Sequence, residues 1–235
     1  MRRGLCARQA ARRARRHRLL PRQPKTIEGP ILEAAVGSGR LQIPLLAAGL
    51  DVRGFDRSGP MLEQCRQAAA ERGLHARLRR MSHQDFSYDE RFGAIVVAVG
   101  SFTLIDDFDE AEQVLRRFHD HLRPGGRLFV DLMPLSYLHA HRDSLRRWTA
   151  PDGDLLQVDS QRVELDFVRQ RLVTHCRYER WRAARLVEQE LEILSLRCWG
   201  LKEFERALRD AGFADISVCD DYQMKCLASV CSRPK

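Results

Sequence analysis

The 235 residues, 44% of them hydrophobic, suffice for one large core, and no run approaches the roughly 18 apolar residues of a membrane span. The formal charge of +8 is a local excess: the nine Arg and one Lys of residues 1–27, with no acid among them, outweigh it, so residues 28–235 are slightly acidic and need not bind a polyanion. Seven scattered cysteines without a CxxC pair point to reduced thiols in a reducing compartment, the cytoplasm.

Residues 1–27 carry the run Arg12-Arg13-Ala14-Arg15-Arg16 and read as a disordered tail, a targeting segment or an anion-binding arm. They lack the serines favoured in transit peptides and the apolar centre of a secretory signal.

From Gly29 onward short apolar runs alternate with amphipathic helices, the pattern of a parallel sheet with helical crossovers. Ile31–Val36 reads as a first buried strand, Leu41–Ala48 as a helix closed by Gly49, and Asp51–Phe55 as a second strand. Ser58 as N-cap, Pro60 in the first turn and Gly73 as terminator bound a second helix with Met61, Leu62, Cys65 and Ala69 on one face. A short strand at Ala76–Arg80 and a doubly buried one at Ala94–Val99 follow. Asp109–Leu122 has helical spacing, and Pro124-Gly125-Gly126 turns the chain into a fifth strand, Arg127–Leu132.

Beyond Trp148 the pattern becomes antiparallel sheet with one wet face. Val163, Leu165 and Phe167 alternate with charged residues, and strand-like runs cover Leu172–Trp181 and Leu186–Trp199. Leu201–Ala211 returns to helix, ended by Gly212, and Asp215–Cys219 with Lys225–Val230 reads as an edge hairpin.

Two glycines one residue apart, Gly37 and Gly39, sit where the first strand meets the first helix, so backbone approaches a ligand closely beside unpaired helix N–H donors. Asp56 ends the second strand 17 residues after Gly39, where an acid accepts hydrogen bonds from both hydroxyls of a ribose or helps cap the helix at Ser58. Asp85, with Phe86 beside it, follows the third strand. Polar groups at three strand ends make the crevice that open α/β sheets use for ligands.

In this order, Glu33 to Gly39, Gly54 to Leu62, Gln84-Asp85-Phe86 and Leu122 to Leu128 resemble the glycine-rich, ribose, adenine and fifth-strand motifs of the class I S-adenosylmethionine-dependent methyltransferases. The resemblance runs from Ile31 to about Leu132. It implies a Rossmann-like α/β fold, a mostly parallel seven-stranded sheet with helices on both faces, spanning residues 28–235 with an antiparallel extension at about 150–200. The implied cofactor is S-adenosyl-L-methionine, with no metal. Glu33 would support the glycine loop, Ala35 would bind the cofactor from the position of the family's first glycine, and Gly37, Ser38 and Gly39 would lie along the methionine and ribose. Asp56 would hold the ribose, Arg57 and Met61 would flank the adenine, Asp85 and Phe86 would meet its edge and face, and Gly100 would border the sulfonium.

Two departures stand out. Ala35 replaces the family's first glycine, and no aromatic residue precedes Phe55, although many relatives cover the cofactor with one.

Methyl transfer from a sulfonium to an amine disperses charge, so alignment and water exclusion are the protein's main tasks. An oxygen acceptor needs a base, for which Tyr137, His139 and His141 are nearest along the chain, and no residue is singled out as catalytic. The extension resembles the added sheet of small-molecule N-methyltransferases, which implies a substrate chamber or a homodimer contact; read from its residues alone it is equally an edge cover for the main sheet.

Three alternatives remain: a nucleotide-dependent oxidoreductase, whose third fingerprint glycine is Gln42 here; a non-catalytic nucleotide-binding protein; and a nucleic-acid methyltransferase, which lacks its Asn-Pro-Pro-Tyr signature at Val99-Gly100-Ser101-Phe102.

Overall fold

A computed structural model describes residues 27–140, 143–219 and 227–234. They fall into two compact units, residues 135–198 and the remainder. Residues 1–26, the bulk of the Arg-rich segment, and His141 lie outside the described residues.

The larger unit is a sheet in which β1 (Ile31–Ala34), β2 (Val52–Asp56), β3 (Arg77–Arg80), β4 (Phe92–Val97) and β5 (Leu122–Leu132) are all parallel. The sheet order is β10-β11-β5-β4-β1-β2-β3, where β10 (Ala214–Cys219) and β11 (Leu227–Ser232) form an antiparallel hairpin and β11 pairs against β5. Every residue of β4 is buried, as a central strand with both faces covered requires.

Each face has its own core. Leu32, Phe55, Ile95, Val97, Leu128 and Val130 pack with α3 (Phe108–His121) and α5 (Leu201–Asp210). Ile31, Val52, Ala94, Val96 and Phe129 pack with Leu41 and Leu45 of the first crossover, which contains α1 (Gln42–Ala47). Helix α3 shows why its sequence folds so. Asp107 accepts the N–H of Glu110 at 2.9 Å as N-cap, and Ala111, Val114, Leu115 and Phe118 form the buried stripe. Asp109 and Glu110 at its first turn complement the helix dipole, and His121 Nδ1 lies 2.8 Å from Arg117 O in its last turn.

Helix α2 spans Gly59–Ala70, with Ser58 at the N-cap as expected, but the serine side chain makes no capping bond. The Pro124-Gly125-Gly126 turn lies inside β5: pairing with β4 jumps from Leu122 opposite Phe92 to Arg127 opposite Ala94 across it, with Gly125 at φ +75°, yet the segment stays in the sheet. The end of β11 supplies the reason: Gly125 N–H donates to Arg233 O and Arg233 N–H to Gly126 O, each at 2.9 Å.

The smaller unit is a four-stranded antiparallel sheet, β6 (Ser144–Thr149), β7 (Leu155–Asp166), β8 (Arg171–Arg182) and β9 (Arg185–Arg197). It is preceded by the short helix α4 (Ser136–Ala140). The sheet begins at Ser144, earlier than the apolar pattern indicated, because β6 is almost wholly exposed and carries no buried alternation. Leu156, Val158 and Ser160 form the buried side of β7, whereas Val163 and Phe167 are exposed. A register shift between Arg162 and Glu164 inserts a residue and breaks the alternation. The chain leaves the larger unit at Pro134 and re-enters it at Trp199, residues joined by a β-bridge, with Trp199 N–H donating to Met133 O at 3.1 Å.

Candidate functional site

The parallel strands β3, β2, β1 and β4 deliver Asp85, Asp56, the Gly37–Gly39 loop and Gly100, in that order, to the carboxyl edge of the sheet. At about 4.8 Å per strand the edge runs some 14 Å.

The loop and Asp56 are joined directly. Gly37 N–H donates to Asp56 Oδ2 and Ser58 N–H to Asp56 Oδ1, both at 2.8 Å. One carboxylate thus fixes the β1 loop and starts α2, the capping role that the Ser58 side chain leaves open. Each oxygen keeps a second lone pair for further donors.

Gly37, Gly39 and Ala35 all have positive φ, at 56°, 88° and 56°. A Cβ at Gly39 would meet Cys65 Sγ at 2.5 Å, so glycine is required there by close packing of α2. A Cβ at Gly37 would meet only Met61 Sδ, at 4.0 Å, so this side of the loop stays open and Met61 stands beside it. Ala35 takes the left-handed conformation in place of the family's glycine, at a cost in backbone strain.

Glu33 is buried on β1, opposite Gly54 of β2, and its Oε2 has no hydrogen-bond partner among the described residues. Burial first, and then the Asp56 carboxylate, raise the Glu33 carboxyl well above the usual range, with Arg40 acting the other way. An orphaned buried carboxyl oxygen, an open glycine cradle and an acid with spare lone pairs fit a cationic, hydroxyl-bearing nucleotide.

Asp85 is exposed, and its Oδ1 accepts the Ser82 N–H at 2.6 Å and the Ser82 hydroxyl at 2.8 Å, bonds that lower its carboxyl pKa. Arg57 is exposed, and its carbonyl accepts from Arg80 Nε at 3.2 Å.

Phe86 is a correction. It is fully buried, and its ring stacks on Phe55 at 4.9 Å and Phe118 at 5.3 Å, so neither face is open to an adenine. Helix α3 needs an aromatic partner under Phe118, and the residue after Asp85 is turned inward to serve it. Phe102 is likewise core, packed against Trp199 and Phe204.

Tyr137 and His139 belong to α4 in the smaller unit, where His139 lies 5.1 Å from the Phe167 ring. No group of metal-binding side chains occurs among the described residues, and no described helix is long and apolar enough to cross a membrane.

Three features escaped the sequence reading. Val99, beyond the end of β4, has φ +60°, and Gly100 follows at +70°. Asp131, buried on β5, accepts the Val99 N–H through Oδ2 at 2.7 Å. Its signal was an acid inside the apolar run Leu128-Phe129-Val130-Asp131-Leu132. His83 sits edge-on to Phe55 and Phe118, and burial, with the charge of Arg57, lowers its pKa to about 4.

Residues 31–126 match the family described as "Methyltransferase domain". That match covers the segment from β1 into β5. The chain is 28% identical over 124 residues to the cypemycin N-terminal methyltransferase of a Streptomyces species, covering 52% of this chain and 49% of that one. It is 25% identical over 198 residues to the glycine/sarcosine N-methyltransferase of Aphanothece halophytica, covering 82% and 69%. The chain therefore spans about half the length of the first relative, 49%, and 69% of the second. In fold it is similar to the sugar N-methyltransferase KedS8 of a Streptoalloteichus species, with a TM-score of 0.75 at 20% identity over 97% of this chain and 88% of the other.

Proposed function

We propose that this protein is a methyltransferase that transfers a methyl group from S-adenosyl-L-methionine to a nitrogen, or less favourably an oxygen, of a small metabolite. The carrying observation is the Asp56 carboxylate bonded to Gly37 N–H beside an open glycine cradle. The nitrogen acceptor is supported by relatives whose names specify N-methylation or an N-terminal acceptor. A small substrate rather than nucleic acid is supported by the slightly acidic balance of residues 28–235.

In this reading Glu33, Ala35, Gly37, Ser38 and Gly39 bind the methionine and ribose, and the free lone pairs of Asp56 accept the ribose hydroxyls. Arg57 and Met61 flank the adenine, Asp85 meets its edge, and Gly100 borders the sulfonium. When bound, the cofactor supplies an electrophilic methyl on a sulfonium. The chain's part is to bind, align and exclude water, which suffices for an amine because charge is dispersed in the displacement. The buried thiols of Cys65 and Cys176, neither of them in a disulfide, support a cytoplasmic setting. Exposed Leu191 and Ile193 on β9 support a homodimer, which sedimentation velocity would show.

Isothermal titration with S-adenosylmethionine and S-adenosylhomocysteine, followed by a methyl-transfer assay over a panel of small primary and secondary amines, tests the proposal. Saturable binding with turnover is expected. Absence of binding overturns it, and binding without turnover on any acceptor favours a non-catalytic nucleotide-binding protein.

A further inference from the structure

Val99 is a β-branched residue at φ +60°, a conformation that crowds Cβ against the backbone and that such residues adopt only when their surroundings impose it. Apolar packing of its side chain is not the imposing force, since Val99 is 41% exposed. The hold is on the backbone. Val99 N–H donates to Asp131 Oδ2 at 2.7 Å, a bond strengthened by the carboxylate charge. The next residues are tied on the other side: Ser101 N–H and hydroxyl donate to Ala98 O at 3.2 and 2.8 Å, and Thr103 N–H donates to Gly100 O at 3.0 Å.

Asp131 is only 4% exposed, on a strand whose other residues from Leu128 to Leu132 are apolar and buried. An aliphatic residue there would avoid the desolvation of a carboxylate, so the acid is retained against its burial cost. Ala35, at the end of neighbouring β1, is the second strained non-glycine residue along this edge. Strain of this kind concentrates where a ligand must meet a fixed backbone.

We propose that Asp131 is a positioning residue for methyl transfer: its carboxylate clamps the Val99 N–H and so holds Val99 and Gly100 in the left-handed turn that borders the reacting end of the cofactor site. This rests on the proposed function, in which Gly100 lies beside the sulfonium. Adenosine lacks that end and depends on the termini of β2 and β3, so it separates the clamp from a general loss of structure.

The full chain and its variants would be titrated with S-adenosylmethionine by calorimetry and with adenosine by ligand-observed NMR. Asp131→Ala is expected to lower S-adenosylmethionine affinity about tenfold, the order of the penalty for a non-glycine residue in the left-handed region, and to leave adenosine affinity within about twofold. Asp131→Asn, which keeps an acceptor oxygen, is expected to retain most of the affinity. Adding Val99→Gly to Asp131→Ala is expected to restore binding, because glycine takes the turn unaided. Unchanged S-adenosylmethionine affinity in Asp131→Ala, an equal fall for both ligands, or no rescue by Val99→Gly overturns the clamp. Should Asp131→Ala not fold, Val99→Pro asks the same from the other partner, since proline has no N–H and cannot hold a positive φ; full affinity there overturns it. Binding by the unaltered protein checks the function separately, so a failure of the clamp alone appears as unchanged affinity against that background.

Discussion

The carboxylate of Asp56 accepts the backbone N–H of Gly37 at 2.8 Å, so the end of β2 holds the loop that leaves β1. A residue placed to hold a ribose is thereby also a tie within the protein. Asp56→Ala is expected to abolish measurable S-adenosylmethionine binding and also to destabilise the fold by about 1–3 kcal/mol, because two part-buried N–H groups lose their acceptor. Asp56→Asn, which keeps one acceptor oxygen, should recover part of the stability while binding remains weak. Urea denaturation and calorimetry on the two variants decide this, and loss of binding at undiminished stability in Asp56→Ala would show that the tie contributes nothing.

Phe86 has no open face, being stacked between Phe55 and Phe118. Phe86→Ala should therefore destabilise the protein by about 3–5 kcal/mol. The milder Phe86→Leu is expected to keep S-adenosylmethionine affinity within about twofold of the unaltered chain, since it preserves most of the buried volume. A tenfold loss of affinity in a stably folded Phe86→Leu protein would return the ring to the cofactor site.

These two residues show which parts of the site the sequence made legible. Gly37, Gly39 and Asp56 were readable because each occupies a strand end where backbone chemistry restricts the choice of residue: positive φ in one case, an acceptor for exposed N–H groups in the other. Phe86 was not, because the direction of its ring depends on Phe118, 32 positions away, and sequence spacing says nothing of that contact. Strand β6 was hidden for a related reason, since periodicity reports burial and β6 is exposed on nearly every residue. The positive φ of Val99 left no mark at Val99 itself; the only trace was the acid at Asp131, on a different strand.

Ala35 carries φ +56° where a glycine would carry it without strain. Ala35→Gly relieves about 1 kcal/mol of left-handed strain, offset in part by the greater freedom of glycine in the unfolded chain. It should leave stability equal or slightly higher and cofactor affinity unchanged. Ala35→Val adds a branched side chain to the same conformation and is expected to cost about 2 kcal/mol and to weaken binding at least tenfold. The paired melting curves and titrations are decisive: a stable, fully binding Ala35→Val protein would mean that the loop does not hold this geometry in solution.

His83 and Glu33 give the stability of the fold opposite dependences on pH. Burial raises the Glu33 carboxyl, so the native state favours its protonated form, and the stability this residue contributes falls as pH rises above the ordinary carboxyl range. The His83 imidazole is lowered to about 4, chiefly by burial against Phe55 and Phe118 and secondarily by the charge of Arg57. An unfolded histidine takes up its proton near pH 6.5, so between about pH 6.5 and 4 the unfolded state binds more protons than the native one. The His83 contribution is therefore complete above pH 6.5 and is lost as pH falls toward 4, an amount on the order of 3 kcal/mol for a shift of this size. His83→Phe, an apolar ring among the aromatic residues already there, should flatten the acid limb of the stability curve. Urea unfolding of both proteins at pH 4.5 and 7 measures the difference, and an acid limb equally steep in His83→Phe would assign the loss to other groups.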